Sequence, residues 1–165
     1  MTYQALGNVV NPQLIGDTST TQKLPLGSIV RAVDPTFGVG EFIYVQVSNS
    51  VTQYDAVAIK ANYKAAPLTL TNSQTAIEVG FAQTAVGTKD SYAWLQKAGR
   101  PVIRLAAACE KDVKLYATAT GGVLDDASTS VLIAGLYATT SATNTAVATG
   151  TTCVTRFPVI MRNAF

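Results

Sequence analysis

Residues 28–48 read SIVRAVDPTFGVGEFIYVQVS, two runs rich in β-branched and aromatic side chains on either side of the pair Asp34-Pro35. Val, Ile, Tyr and Phe favour extended backbone because their side chains pack well on a pleated surface. Asp followed by Pro is a turn signal, since Pro fixes φ and Asp can accept hydrogen bonds from the backbone of the turn. The stretch therefore predicts two β-strands joined by a loop that ends near Gly40.

The rest of the chain continues this pattern of short apolar runs separated by Gly, Pro and Asn. No helical apolar repeat lasts for three turns, and the nearest helix candidate, 105–111, is either one helical turn or the end of a strand. Short strands at a spacing of roughly 8–12 residues are typical of a β-sandwich or a β-barrel. We therefore predict an all-β fold, with further strands at 55–60, 67–71, 76–83, 91–97, 100–105, 114–118, 131–138 and 153–161.

Glycines and prolines within these runs predict local features. The runs on either side of Gly99 are expected to form a hairpin, and the pair Gly121-Gly122 predicts a second one. Gly80 lies inside a predicted strand, which indicates a bulge or a close backbone approach. Proline cannot donate a hydrogen bond to a neighbouring strand, so two prolines are expected at a strand start or a sheet edge: Pro101 and Pro158.

The first 27 residues differ from the rest, and we divide the chain into an extended N-terminal arm, 1–27, and a β body, 28–165. Gly, Pro and Asn interrupt every regular period in the arm, and isolated apolar pairs lie among polar residues. Such pairs need a surface to dock on, provided by their own body or by a neighbour; the alternative is a mobile terminus. The candidate contact residues are Val9, Val10, Leu14 and Ile15 in the arm and Phe165 in the tail.

Composition excludes several kinds of catalysis. The chain has 165 residues, enough for a single core, and it contains no histidine. Without histidine there is no Ser-His-Asp triad and no Cys-His dyad, and two cysteines cannot form an ordinary zinc site. The carboxylates are scattered, and the adjacent Asp125 and Asp126 are expected to be solvated in a hairpin turn. We therefore expect no enzymatic activity, no catalytic residue, no metal and no cofactor.

Charge and hydropathy also restrict the partners. The net charge is only +2 and is spread thinly, so we expect no nucleic-acid surface. No run of 18 apolar residues predicts a membrane span, and the N-terminus lacks the features of a secretory signal. Cys109 and Cys153 are expected to be reduced, small core residues in a cytosol-like compartment.

The aromatic residues allow two interpretations. Phe42 and Tyr44 share one face of a predicted strand, as do Tyr92 and Trp94, because side chains alternate along a strand. Packing in the core and across strands is the first interpretation. A platform for carbohydrate or a partner is the second.

Low charge suggests permanent contact with other subunits. Charged residues make up 13% of the chain, against about 25% in typical domains. A surface rich in Thr, Ala, Ser and Gly loses little side-chain entropy on burial. This favours a structural assembly protein, with a sugar-binding β-module on a fibre or adhesin as the alternative.

Three stretches resemble small structural proteins of tailed bacteriophage heads. They read LGSIVRAVDPTFGVGEFIYV at 26–45, SYAWLQKAG at 91–99 and KLYATATGGVLDDA at 114–127. The last two are similar to a pattern of that group, in which an aromatic strand, a glycine turn and a Gly-Gly-x-x-Asp hairpin recur. The chain differs at QYDAV, 53–57, where the group tends to have Gly-Asp-x-Val.

The resemblance implies a capsid decoration or cement protein with a β-sandwich, jelly-roll-like or β-tulip fold. Proteins of this group bind the outer surface of the head as homodimers or homotrimers and hold neighbouring major capsid proteins together against the pressure of the packaged DNA. The expected partners are therefore the major capsid protein and further copies of the chain. The expected location is the capsid surface of the virion, assembled in the host cytoplasm.

Overall fold

The computed structural model describes residues 4–5, 13–129, 131–141 and 148–162. Across these residues the chain forms twelve β-strands, one 3₁₀ turn and no α-helix. The prediction of an all-β fold is confirmed. The strands are β1 (Gln4–Ala5), β2 (Ile29–Asp34), β3 (Gly38–Val47), β4 (Ala56–Ile59), β5 (Lys64–Pro67), β6 (Glu78–Phe81), β7 (Ser91–Ala98), β8 (Val102–Leu105), β9 (Leu115–Ala117), β10 (Leu124–Asp125), β11 (Val131–Ala138) and β12 (Ala148–Arg162), and the 3₁₀ turn is Asn72–Gln74.

The first sheet has the strand order β1-β2-β3-β5-β4-β6-β7 and curls until β3 also pairs with β7. The length of β3 allows this closure. Its first half pairs with β2, its last two residues pair with β5, and its other edge pairs with β7. The second sheet is a closed barrel of five strands in the order β10-β8-β12-β11-β9.

Two strands of the first sheet, β4 and β6, lie between two hydrophobic cores. Along β4, Val57 and Ile59 pack into the inner core of the curled first sheet. Ala56 and Ala58 point the other way, into the barrel core, which also contains inward side chains of the second sheet. On β6, Val79 and Phe81 likewise belong to the barrel core, while Gly80 faces the inner core. A Cβ added at Gly80, on the inner-core side of β6, would lie 2.9 Å from the Cβ of Leu95, so the predicted close approach is confirmed.

A third core lies on the outside of β2, β3 and β7, and we call it the N-terminal core. Its buried members are Ile15, Val30, Ala32, Phe42, Tyr44 and Trp94, with Leu24, Leu26 and Tyr92 packed against them. Residues 13–27 therefore cover one face of the first sheet with apolar side chains. This part of the predicted arm docks on the chain's own body.

Several local predictions are confirmed. β11 spans the predicted 131–138, and β9 and β10 form the antiparallel hairpin expected around the glycine pair. Asp34 ends β2, and its Oδ1 accepts hydrogen bonds from the backbone N–H groups of Thr36 (2.8 Å) and Phe37 (2.9 Å). Pro101 immediately precedes β8, and Pro158 lies where β12 pairs with β11 alone, at a shift in their register.

The predicted hairpin around Gly99 is wrong. β7 belongs to the first sheet and β8 to the second, and no described residues of the two strands pair. The physical reason is that β7 is flanked by β3 on one side and β6 on the other, so it has no free edge for β8. β5 also lies earlier than the predicted strand at 67–71. The candidate helix at 105–111 is the end of β8 followed by a turn.

A buried ion pair joins the two sheets. Asp55, which is 2% exposed, precedes β4, and its Oδ1 contacts the guanidinium of Arg104 on β8. Its Oδ2 accepts a hydrogen bond of 2.7 Å from the N–H of Thr52. Burial raises the pKa of the Asp55 carboxyl, while these two donors oppose the shift. Gly122, in the β9–β10 turn, has φ +78, and a Cβ there would overlap the carboxylate.

Tyr54 stands at the position where the Gly-Asp-x-Val pattern has glycine. Its φ is 72, in the left-handed region that favours glycine. Its N–H donates to the carbonyl of Ala82 (2.6 Å), and its carbonyl accepts from the N–H of Arg104 (2.8 Å). The turn has the backbone that glycine would adopt, and these bonds hold tyrosine there at a cost on the order of 1 kcal/mol.

We expect Arg104→Met to lower the free energy of unfolding by about 3 kcal/mol at pH 7, because it leaves a buried carboxylate without its counter-ion. The loss should shrink as the pH is lowered. Arg104 is one of the groups that oppose the rise in the Asp55 pKa, so its removal raises that pKa further in the folded variant than in the wild type, and acid stabilises the variant more. Urea unfolding of variant and wild type at pH 7 and at about pH 4.5 measures both effects.

Lys97→Met is the matched control, because it breaks a more exposed ion pair, with Glu78. Its loss should stay below about 1 kcal/mol. Equal losses in the two variants, or a loss in Arg104→Met that does not shrink in acid, would show that the buried pair does not join the sheets in the way described.

Candidate interaction surfaces

Gln13 ties residues 13–27 to the aromatic side chains of the body. Its side-chain amide accepts a hydrogen bond from the Tyr44 hydroxyl (2.8 Å) and donates to the carbonyls of Tyr92 (3.0 Å) and Asp17 (2.9 Å). Its backbone carbonyl accepts from Nε1 of Trp94 (3.1 Å). Gln13 is 4% exposed. A buried glutamine in a polar segment gives no sequence signal, so the sequence does not predict this role.

The aromatic side chains form a packed group in the N-terminal core. Tyr44 stacks on Tyr92 with ring centroids 6.1 Å apart and lies 5.1 Å from the ring of Trp94 at a tilt of 58°. Tyr44 is fully buried, and burial raises its pKa. Trp94 is 5% exposed. These contacts agree with packing, because neither ring offers an open face to a sugar.

The predicted contact residues have different environments. Ile15 is buried in the N-terminal core, so its apolar surface is already used within the chain. Leu14 is 65% exposed. Val9, Val10 and Phe165 lie outside the described residues.

Seven large apolar side chains among the described residues are between 45% and 65% exposed. Three of them lie on residues 13–27, β2 and β3, and the other four lie on β11, β12 and the segment before β6. Exposed apolar groups beyond a scattered few are typical of contact surfaces. They are Leu14, Ile29, Val39, Ile77, Tyr137, Val159 and Met161.

A cavity of about 190 Å³ lies between β6, β7 and β12. One wall carries an ion pair, with Nζ of Lys97 3.0 Å from Oε2 of Glu78. The other lining side chains are apolar. Ile77 and Val159 of β12 both line the cavity, so it lies between the segment before β6 and β12. The lining residues are Ile77, Glu78, Val79, Lys97, Pro158 and Val159.

One group of side chains has the composition of a metal site. Sγ of Cys109 and carboxylate oxygens of Asp125 and Asp126 lie within 4.8 Å of one another. However, Asp126 Oδ2 accepts from the N–H of Glu110 (3.0 Å), and Asp125 Oδ1 accepts from the N–H of Asp126 (2.9 Å). Burial and the nearby carboxylates raise the pKa of Cys109 to about 11, so the thiol is protonated at neutral pH. The two carboxylates therefore accept hydrogen bonds from the backbone of nearby loops. Both aspartates are half-buried, whereas the sequence predicts solvated side chains.

No protein-family model and no curated protein matches this chain. No helix within the described residues is long and apolar enough to cross a membrane.

We expect Trp94→Ala to lower the free energy of unfolding by about 3–5 kcal/mol, since it removes a large buried side chain and leaves a cavity. Tyr137→Ala, at a site that is 45% exposed, should change it by less than about 1 kcal/mol. Urea unfolding measures both. A stable Trp94→Ala protein with a small loss would contradict the packing interpretation and make a binding role of this ring testable with sugars.

We expect the Cys109 thiol to resist alkylation in the folded protein. It is fully buried and its pKa is about 11, while alkylation needs an accessible thiolate. Peptide mass spectrometry after iodoacetamide at about pH 8 should find modified Cys109 only when urea is present. Modification at similar rates with and without urea would contradict both the burial and the pKa.

Proposed function

We propose that this chain is a structural virion protein, a decoration or cement protein that binds the outer surface of a tailed-phage head and stabilises contacts between major capsid proteins. It would assemble onto the head in the host cytoplasm. The proposal extends the resemblance of residues 26–45, 91–99 and 114–127 to that group.

The observation that carries the proposal is the amount of exposed apolar surface on a weakly charged body. Seven large apolar side chains are at least 45% exposed, while charged residues make up 13% of the chain. A free monomer with such a surface would tend to associate. A protein that spends its working life on a capsid lattice would bury this surface.

The fold supports the same use. Residues 26–45 form the β2–β3 hairpin and residues 114–127 include the β9–β10 hairpin, so the resembling stretches lie in both sheets. The buried Asp55–Arg104 pair holds these sheets together. In the proposed role, this two-sheet body would transmit force between neighbouring capsid subunits.

Binding would be non-covalent and would gain strength from repetition. Each buried apolar side chain contributes about 25 cal/mol per Å² before ordering costs are subtracted. Leu14, Ile29 and Val39 supply such surface in the described part of the chain. Simultaneous contacts on a lattice then raise the apparent affinity steeply.

The sugar-binding alternative has less support. It rests on Tyr92 and Trp94 as a platform, and residues 13–27 cover these rings. Trp94 is 5% exposed, and Tyr92 is half-buried beside it.

The test is co-sedimentation of the purified chain with empty heads of the phage that encodes it, prepared without it. We expect saturable binding of the wild type. Leu14→Asp and the double variant Val9→Asp/Val10→Asp should each weaken binding by about tenfold or more, a loss on the order of 1.4 kcal/mol.

The matched control is Thr18→Asp, which places the same charge at another exposed position of the same segment. It should bind as the wild type does. Absence of wild-type co-sedimentation at any concentration would overturn the decoration proposal. If Leu14→Asp and Val9→Asp/Val10→Asp both bound as the wild type does, the role of the arm would be overturned.

A further inference from the structure

The cavity between β6, β7 and β12 has a size that restricts what can enter it. Its volume is about 190 Å³. An apolar cavity of about 150 Å³ binds a single benzene ring. This cavity therefore has room for one aromatic ring with a small substituent.

One wall of the cavity offers a hydrogen-bond acceptor and a donor side by side. Oε2 of Glu78 lies 3.0 Å from Nζ of Lys97, but this ion pair does not have the angles of a hydrogen bond. Oε2 is buried and accepts no hydrogen bond from the described residues. A buried polar atom without a hydrogen bond costs free energy, so a ligand that donates to Oε2 gains affinity from removing that cost.

The charges of this wall favour a neutral ligand with a hydroxyl group. The carboxylate and the ammonium are adjacent, so a charged ligand would be attracted by one and repelled by the other, and it would also lose its hydration. A hydroxyl both donates and accepts at one oxygen, which matches the neighbouring acceptor and donor. The other four of the six lining residues are apolar and suit a hydrocarbon ring: Ile77, Val79, Pro158 and Val159.

The surroundings of the cavity indicate that the ring belongs to a larger molecule. Ile77 is 55% exposed and Val159 is 58% exposed, and we call these two residues the rim. Met161, two residues further along the same side of β12, is also exposed. A free molecule of one ring would fill the cavity and leave these side chains in water. A polypeptide that inserts a ring would cover them with its neighbouring residues.

We propose that this cavity binds the side chain of a tyrosine that a partner protein presents beside apolar residues. The tyrosine hydroxyl donates to Oε2 of Glu78 and accepts from Nζ of Lys97, and the apolar neighbours of the tyrosine cover the rim. Phenylalanine has no hydroxyl, the tryptophan ring nitrogen only donates, and serine and threonine have no ring. Tyrosine is also a common anchor of protein interfaces.

The ligand class is tested with 4-methylphenol, which is the side chain of tyrosine, and with toluene, which lacks only the hydroxyl. Amide NMR spectra of the full-length chain are recorded during titration. We expect 4-methylphenol to shift the amides of residues 77–79, 97 and 159, with a dissociation constant on the order of 1 mM for so small a ligand. Toluene should bind at least about tenfold more weakly, because it leaves the polar wall without a partner.

The role of the polar wall is tested with the double variant Glu78→Met/Lys97→Met. Changing both residues leaves no charge without its partner, so the cavity becomes apolar while the fold is kept. We expect the preference for 4-methylphenol over toluene to disappear. The matched control is Glu110→Met/Lys111→Met, which makes the same two changes at exposed residues that do not line the cavity. It should keep the preference.

The role of the cavity itself is tested by placing a larger side chain at its rim. Val159→Phe should weaken the binding of 4-methylphenol by about tenfold or more, since the new ring competes for the space. Val39→Phe makes the same change at an exposed strand position outside the cavity and should bind as the wild type does. Thermal unfolding by circular dichroism verifies that each variant folds.

Short peptides distinguish a tyrosine of a protein from a free phenol. An acetylated and amidated Val-Tyr-Val peptide should bind at least about tenfold more tightly than 4-methylphenol, because its valines cover the rim. The corresponding Val-Phe-Val peptide should bind about tenfold more weakly than Val-Tyr-Val.

Each contrary result overturns a defined part of this inference. Toluene binding as tightly as 4-methylphenol, or a preference that survives in Glu78→Met/Lys97→Met, would overturn the hydroxyl contact. Shifts that Val159→Phe leaves intact would overturn the cavity as the site. A peptide that binds no more tightly than 4-methylphenol would overturn a protein tyrosine as the ligand. The inference goes beyond the decoration proposal, and none of these measurements uses heads, so the two proposals fail separately.

Discussion

The contact between Asp55 and Arg104 is the constraint on which the arrangement of the two sheets depends. It is the ion pair that crosses from the first sheet to the second among the described residues, and it lies where a Cβ at Gly122 would not fit. A buried pair of this kind contributes little net stability, because desolvation of both charges offsets their attraction. Its effect is on specificity: a docking that separated Arg104 from Asp55 would leave the buried carboxylate without its counter-ion.

Fully buried strands follow from this docking. Once the barrel is fixed against the first sheet, β4 and β6 have apolar surroundings on both faces, and all four residues of β4 are buried. β3 is buried on both faces for a similar reason, since Phe42 and Tyr44 face the N-terminal core while Ile43 and Val45 face the inner core. Such strands read as continuous apolar runs rather than as alternating ones. The apolar run at 42–45 therefore decides the fold, because it lies between the N-terminal core and the inner core.

Local features could be predicted from the sequence, and long-range ones could not. β11 was predictable to the residue because its branched side chains are bounded by polar residues, and the Asp34 turn was predictable because its chemistry is contained within four residues. The hairpin around Gly99 fails because a glycine turn indicates a change of direction without indicating which sheet receives the next strand. The burial of Ile15 within the chain could not be predicted for the same reason. An apolar pair indicates that a segment docks, but it does not indicate on which surface. The hydrogen bonds of Gln13 to Tyr44 and Trp94 show that this surface is about 30 to 80 residues away in the sequence.

Closure of the sheets restricts how this chain can meet other chains. The second sheet is a closed ring, and in the first sheet β7 pairs with β3, so the described strands offer few free backbone edges to a partner strand. Among the described strands, addition of a partner strand is limited to the edge beside β1 and β2 and to the part of β12 after Thr152, which pairs with β11 alone. The outward faces of strands provide a larger surface for association than these edges. On such faces the exposed apolar side chains provide the affinity.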